Sequence, residues 1–333
     1  MSALLESATA LWVTGPAEVA LRTEPARIGE PGGVRVRTRY SGISRGTERL
    51  VFHGRIPQSE YARMRCPFQT GDFPSPVKYG YSAVGRVLDP EVPHDWVFCL
   101  HPHQDWFEVP AEAVHPLPAQ VPPQRAVLAA NMETAINALW DGEPRIGDEI
   151  RVVGAGVVGC LTAYLAASLA GARVQLIDRQ PQRRAVAEAL GLSFAEPGQA
   201  DGDADLVFHA SGQPDGLRLA LGLCGFEGRV VELSWYGNRA VELPLGQEFH
   251  AKRLQLLSSQ VGHVSASRRA RWSRARRLRL ALALLADPRL DVLLEPAMPF
   301  ARAPEAMARA CGEQPALCQV LDYAESFHSL EPD

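Results

Sequence analysis

The stretch RVVGAGVVG at 151–159 constrains this chain more than any other, because it places Gly154, Gly156 and Gly159 in a GxGxxG pattern. An apolar run precedes it and a helical pattern follows. The chemistry is one of backbone geometry. The first Gly permits a tight turn, the second lets a pyrophosphate approach the main chain, and the third lets helix and strand pack closely. The free N–H groups of the following helix, at Val157, Val158 and Gly159, then face the phosphates. Asp178 ends the next strand, close to the expected spacing of about 20 residues for an acid that binds ribose hydroxyls. A glycine-rich turn without a ligand is the alternative.

From 150 onward, strands and helices alternate: strand 150–153, helix 157–171, strand 173–178, helix 181–191, strand 204–211, helix 214–224, strand 228–235 and a strand near 254–259. That order predicts an α/β fold with a doubly wound parallel sheet. Two later strand ends, HASG with Ser211 and Gly212 and SWYG with Ser234 and Trp235, fall where ligands of such sheets bind. Either is equally readable as a Gly-closed turn. Asp178 favours NAD by repelling a 2′-phosphate, while Arg179 and Arg183 leave NADP open.

Residues 8–120 read differently. Pro and Gly punctuate short alternating stretches such as GVRVRTRYSGIS (33–44) and AVGRVL (83–88), which predicts a β-rich unit. A helix is expected at 124–140. After an Arg-rich helix at 267–286, a strand, a Pro-bounded helix and a final strand ending at Val320-Leu321 are positioned to rejoin the first unit.

At 333 residues and 46% hydrophobic, the chain is long enough for two domains with substantial cores. A net charge of −4 argues against nucleic acid as the main partner. The Arg run SRRARWSRARRLRLALALL (267–285) reads as an amphipathic helix with a solvated Arg face, or as a phosphate-tracking patch. The six cysteines form no CxxC pair, so neither a disulfide framework nor a structural zinc lobe is expected. No apolar run spans a bilayer and the first residues lack signal-peptide character, so a cytoplasmic protein acting on a small molecule is expected.

Together these features resemble the medium-chain dehydrogenase/reductase superfamily, whose members join a GroES-like catalytic domain to a Rossmann domain. The implied boundaries are 1–123 with 293–333 for the former and 124–292 for the latter. SGISRGTE (41–48) and SSQVG (258–262) resemble the branch containing 2-desacetyl-2-hydroxyethyl bacteriochlorophyllide a dehydrogenase. The resemblance implies hydride transfer between a secondary alcohol and a ketone, and a homodimer or homotetramer. Zinc-dependent members carry Cys at the place of Ser44, Gly-His-Glu at Gly80-Tyr81-Ser82, and a further ligand near Glu133. Ser and Tyr are poor zinc ligands, and a catalytic site needs three protein ligands. A zinc-free enzyme is therefore expected.

Without a metal, a hydrogen-bond donor must stabilise the substrate oxygen. Ser44, Thr47 and Tyr81 are the candidates, with His101 and His103 as proton relays; Glu48 is placed to orient the loop or to pair with Arg45. Tyr81 as an ordinary strand aromatic, and the HxH pair as a metal site on one strand face, are the competing readings. Phe52, Tyr61, Phe68, Phe73 and Trp106 either line a pocket or fill a core. Segment 53–76 is long enough to serve as a lid or specificity loop. Reduction of a quinone or enone, and nucleotide binding without catalysis, remain alternative functions.

Overall fold

The computed structural model describes residues 7–25, 32–88, 96–312 and 316–324. The ends of the expected first domain, 1–6 and 325–333, lie outside them. The chain divides into two compact units, Met1–Ala130 with Leu294–Asp333, and Asn131–Leu293. Among the described residues, no helix is long and apolar enough to cross a membrane.

The first unit is β-rich, and its larger sheet is organised around the long strand Gly33–Ile43. Antiparallel to that strand lie Ala83–Val87, Trp106–Pro110 and, from the far end of the chain, Cys318–Asp322. Strand pairing places Leu321 opposite Ser41, which brings the C-terminal return beside the SGISRGTE segment. A smaller sheet pairs Ser7–Gly15 with Glu18–Pro25 and with Val77–Lys78. Segment 53–76 is not a free loop. It contains a helical turn at Gln58–Glu60 and the short strand Thr70–Gly71, which pairs with Val77–Lys78. Phe52, Phe73 and Trp106 are buried, so they serve the core, whereas Phe68 stays 38% exposed.

The second unit holds a six-stranded parallel sheet. In spatial order its strands are Ser193–Ala195, Arg173–Ile177, Glu149–Val153, Ala204–His209, Cys224–Glu232 and Gln255–Ser258. Sequence order reverses between Glu149–Val153 and Ala204–His209, which makes that pair the switch point where doubly wound sheets bind ligands. The central strands Glu149–Val153 and Ala204–His209 are largely buried on both faces, as the middle of a parallel sheet requires, while the edge strand Gln255–Ser258 stays largely exposed. Val153, Ile177, Val207, Leu217, Leu221 and Val230 share one cluster.

Two expected helices differ in detail. Residues 124–140 form two helices, Pro123–Ala126 and Ala129–Gly142, separated where Leu128 N–H bonds back to the Arg125 carbonyl in a tight turn. The Arg-rich helix begins only at Arg274, because Ser273 caps it by accepting the Arg276 N–H at 3.1 Å. Its Arg face is not wholly solvated. Arg277 is buried and donates from Nε to Glu133 Oε1 at 2.9 Å, with Asn137 Oδ1 as a second acceptor at 2.5 Å.

Removing one partner of such a pair leaves an unpaired buried charge, at a cost of about 3–5 kcal/mol. Arg277→Ala is expected to lower the thermal midpoint of this unit by about 10 °C, read by calorimetry. An unchanged midpoint would show that the pair contributes nothing.

Candidate active site

In the first unit the structure gathers Ser44, Thr47 and Tyr81. Ser44 precedes the helix Arg45–Phe52 with extended backbone, and Thr47 lies in its first turn. Both hydroxyls neighbour that of half-buried Tyr81 and bear on its ionisation. Loss of hydration, reinforced by the Glu48 carboxylate, pushes the Tyr81 pKa above the usual phenol range, and the Ser44 and Thr47 hydroxyls oppose that shift only partly. Tyr81 therefore keeps its proton across physiological pH and acts as a donor. Ser82 donates to the Val127 carbonyl and is buried.

Behind this trio lies Glu48, 2% exposed. Its Oε1 accepts the Ser44 N–H at 2.7 Å, and its Oε2 lies 2.9 Å from His103 Nε2. A carboxylate only accepts, so Nε2 carries a proton. With Nε2 as donor to the carboxylate, His103 Nδ1 lies 2.8 Å from Ser41 Oγ, and Ser41 Oγ lies 2.9 Å from the Tyr323 hydroxyl. Gly80 makes room for this array: its φ is +135°, and a Cβ there would lie 3.0 Å from the His103 ring. Of these partners, Ser41 and Tyr323 are absent from the sequence reading, and Glu48 was expected to orient the loop or pair with Arg45, not to hold a histidine.

His101 and His103 do not lie on a strand, in contrast to the expectation. They occupy a loop between Trp96–Cys99 and Trp106–Pro110. The loop is pinned where Leu11 N–H donates to the His103 carbonyl at 3.0 Å and Thr38 Oγ1 to the Gln104 carbonyl at 2.6 Å. Two-residue alternation does not apply there, and the rings take separate environments. His101 donates from Nδ1 to the Pro102 carbonyl at 2.9 Å and stacks on Phe107, centroids 3.8 Å apart, with Phe68 at 5.6 Å. Among the described residues, no group of three or more His, Cys, Asp or Glu is placed to hold a metal ion.

In the second unit the three fingerprint glycines occupy three distinct environments. Gly154 has φ +111°, and a Cβ there would meet Ser211 N at 2.6 Å. A Cβ on Gly156 would meet nothing within 4 Å, so a ligand can approach, whereas one on Gly159 would lie 1.8 Å from the Gly154 carbonyl oxygen. Gly156 caps the helix Val157–Ala166. Its first N–H groups, those of Val157, Val158 and Gly159, have no partner within the helix. Asp178 follows Arg173–Ile177 and accepts the Ala155 N–H at 2.7 Å and the Gln180 N–H at 2.9 Å. The carboxylate retains lone pairs for ribose hydroxyls. Arg179 is exposed and Arg183 buried. Gly212 donates its N–H to Ser234 Oγ at 3.0 Å, so the two strand ends HASG and SWYG are joined; Trp235 is half-buried beside them.

Comparison with known proteins follows the same lines. No family model matches the chain. The chain is 26% identical over 270 residues to 2-dehydro-3-deoxy-L-galactonate 5-dehydrogenase of Pseudoalteromonas atlantica, covering 70% of this chain and 77% of that protein. It is 29% identical over 228 residues to 2-desacetyl-2-hydroxyethyl bacteriochlorophyllide A dehydrogenase of Rhodobacter capsulatus, covering 62% and 67%. Among solved structures, L-idonate 5-dehydrogenase from Escherichia coli superimposes with a TM-score of 0.76 at 17% identity, over 95% of this chain and 98% of that one.

Burial pushes the His101 pKa from its ordinary 6.5 down to about 3, against the opposing effect of the Pro102 carbonyl. Between those values the unfolded chain takes up a proton that the native chain does not, so this residue makes stability fall as pH drops through the window. His101→Phe, which keeps the stack on Phe107, is expected to move acid unfolding to lower pH, followed by circular dichroism from pH 7 to pH 3. An acid limb that does not move would exclude His101 as its source.

Proposed function

We propose that the chain is an NAD(P)-dependent dehydrogenase of the medium-chain dehydrogenase/reductase superfamily, and that it interconverts a secondary alcohol and a ketone without zinc. The observation that carries the reading is the Tyr81 hydroxyl, held protonated by burial and neighboured by the Ser44 and Thr47 hydroxyls, where the resemblance implies a metal-binding His. The residues at the implied zinc positions do not fit the ion. Ser44 and Tyr81 offer neutral hydroxyls, poor ligands for zinc, and Glu133 is committed to Arg277 at 2.9 Å. No step is therefore routed through a metal.

A bound nicotinamide supplies the hydride in the reducing direction and takes it in the oxidising one. This chain's own residues handle the oxygen and the proton. As the carbonyl carbon of a ketone gains the hydride, its oxygen becomes an alkoxide; Tyr81 donates a hydrogen bond to it and then the proton. The Thr47 and Ser44 hydroxyls lie beside the phenolic oxygen while charge passes across it. Solvent returns the proton to Tyr81 after reduction; in the oxidising direction Tyr81 stays protonated and hydrogen-bonds the substrate oxygen, and the alcohol proton leaves to solvent as the hydride departs. Asp178 supports NAD over NADP, since its carboxylate opposes a 2′-phosphate, although exposed Arg179 lies beside it.

The test is a panel of secondary alcohols, ketones, enones and quinones assayed with NAD(H) and NADP(H). Turnover of alcohols and ketones is expected, faster with NAD(H). Tyr81→Phe should lower kcat about 100-fold and leave the Kd for NADH unchanged. Turnover confined to enones or quinones, or a Tyr81→Phe enzyme as fast as wild type, would contradict the proposal.

A further inference from the structure

The second unit carries a strongly basic face that the proposed reaction does not use. Between Glu248 and Asp287 the sequence has no acidic residue, while Arg268, Arg269, Arg271, Arg274, Arg276 and Arg279 fall within that interval and are all exposed. Their neighbour Arg277 turns inward to Glu133 at 2.9 Å, and among the described residues no carboxylate pairs with the other six. A chain of formal net charge −4 thus gathers an unopposed positive field on one stretch, and the remainder is correspondingly more acidic.

Local packing holds these side chains in place. The helix Arg274–Leu284 starts at its Ser273 cap and buries Arg277, Leu278, Ala281 and Leu282, so Arg274, Arg276 and Arg279 turn to water. Ahead of the helix, Trp272 packs on Trp140 with ring centroids 4.9 Å apart. The Arg276 guanidinium lies 3.9 Å over the Trp272 ring, and that of Arg268 lies 6.0 Å over Trp140. A guanidinium stacked in this way keeps the N–H groups of its edge available to oxyanions. Arg276 Nη1 also donates to the Arg271 carbonyl at 2.8 Å, which ties the preceding turn to the helix.

The occupant must supply many negative charges. Single-stranded nucleic acid binds where bases stack on bare ring faces; here both indoles are half-buried and each already carries a guanidinium. The arginines instead run along a turn and the outward side of a helix, as a strip. A bilayer presents a plane of phosphodiester headgroups with no fixed spacing, against which such a strip lies flat, and clusters of about four to eight basic residues are the size that binds anionic lipid. We propose that this face docks the protein on an anionic phospholipid surface through its arginines. The contact is peripheral: Leu278 and Leu282 of the helix pack in the core, so that side does not enter the bilayer, and among the described residues no helix is long and apolar enough to cross one. Held by charge alone, the contact weakens with salt.

The test is co-sedimentation of the full-length protein with vesicles of phosphatidylcholine alone and of equal parts phosphatidylcholine and phosphatidylglycerol, at about 0.1 M and about 1 M salt. Wild type is expected to pellet with the mixed vesicles at the lower salt, to be released at the higher, and to ignore phosphatidylcholine. Each arginine near an anionic surface adds about fivefold to partitioning, so the triple variant Arg269→Gln/Arg271→Gln/Arg279→Gln should bind the mixed vesicles about 100-fold more weakly. The corresponding Glu triple variant should not bind them, and an unchanged thermal midpoint in either checks the fold. Wild type that stays in solution, equal pelleting with both vesicle types, or a folded triple variant bound as tightly as wild type overturns the proposal. Oligothymidylate titrated in parallel separates the other polyanion: wild type that binds it and ignores the mixed vesicles gives the face to nucleic acid and overturns the lipid assignment.

Discussion

A carboxylate sealed from water is costly unless every lone pair that matters finds a donor, and Glu48 is such a group, 2% exposed. The first unit is arranged around meeting that demand. The Ser44 N–H supplies one donor at the mouth of the helix Arg45–Phe52, and His103, 55 residues away in sequence, supplies another. Holding His103 there in turn requires Gly80, because its ring lies where a side chain at 80 would begin. The same negative charge, together with burial, keeps the Tyr81 hydroxyl protonated. Polarity at the proposed reacting group thus traces first to burial and then to one buried acid.

Both units use an imidazole between a carboxylate and a serine, but with the ring reversed. His103 turns Nε2 to Glu48, and His209 turns Nδ1 to Glu232. In each case a carboxylate accepts from one ring nitrogen, and the other nitrogen lies within hydrogen-bond distance of a serine hydroxyl.

Much of this was legible in the sequence where the controlling residues are neighbours. Gly154, Gly156, Gly159 and Asp178 show their places at a strand–turn–helix and at the next strand end through spacing, and the alternation after 150 gives the doubly wound sheet. Ser44, Thr47 and Tyr81 were legible as a set through the resemblance, and the fold brings them together. The partners of the histidines were not legible, because strand pairing creates them: Ser41 meets Tyr323 across 282 residues. His101 and His103 suggested a shared strand face, but a pinned loop carries them instead. Arg277 read as part of a solvated stripe, and its burial follows from Glu133 and Asn137 on a helix far away in sequence. A polar residue at the end of an apolar parallel strand, as in VFH and VVE, was the available signal for His209 and Glu232.

The central claim is that a tyrosine held protonated by burial and a buried acid does the work of a metal ion. Elemental analysis of protein purified without added metal, combined with alcohol oxidation before and after dialysis against a chelator, addresses it most directly. The account predicts turnover with far less than one zinc per chain and no loss on chelation. Zinc at one per chain, with activity lost on its removal and restored on its return, would contradict it.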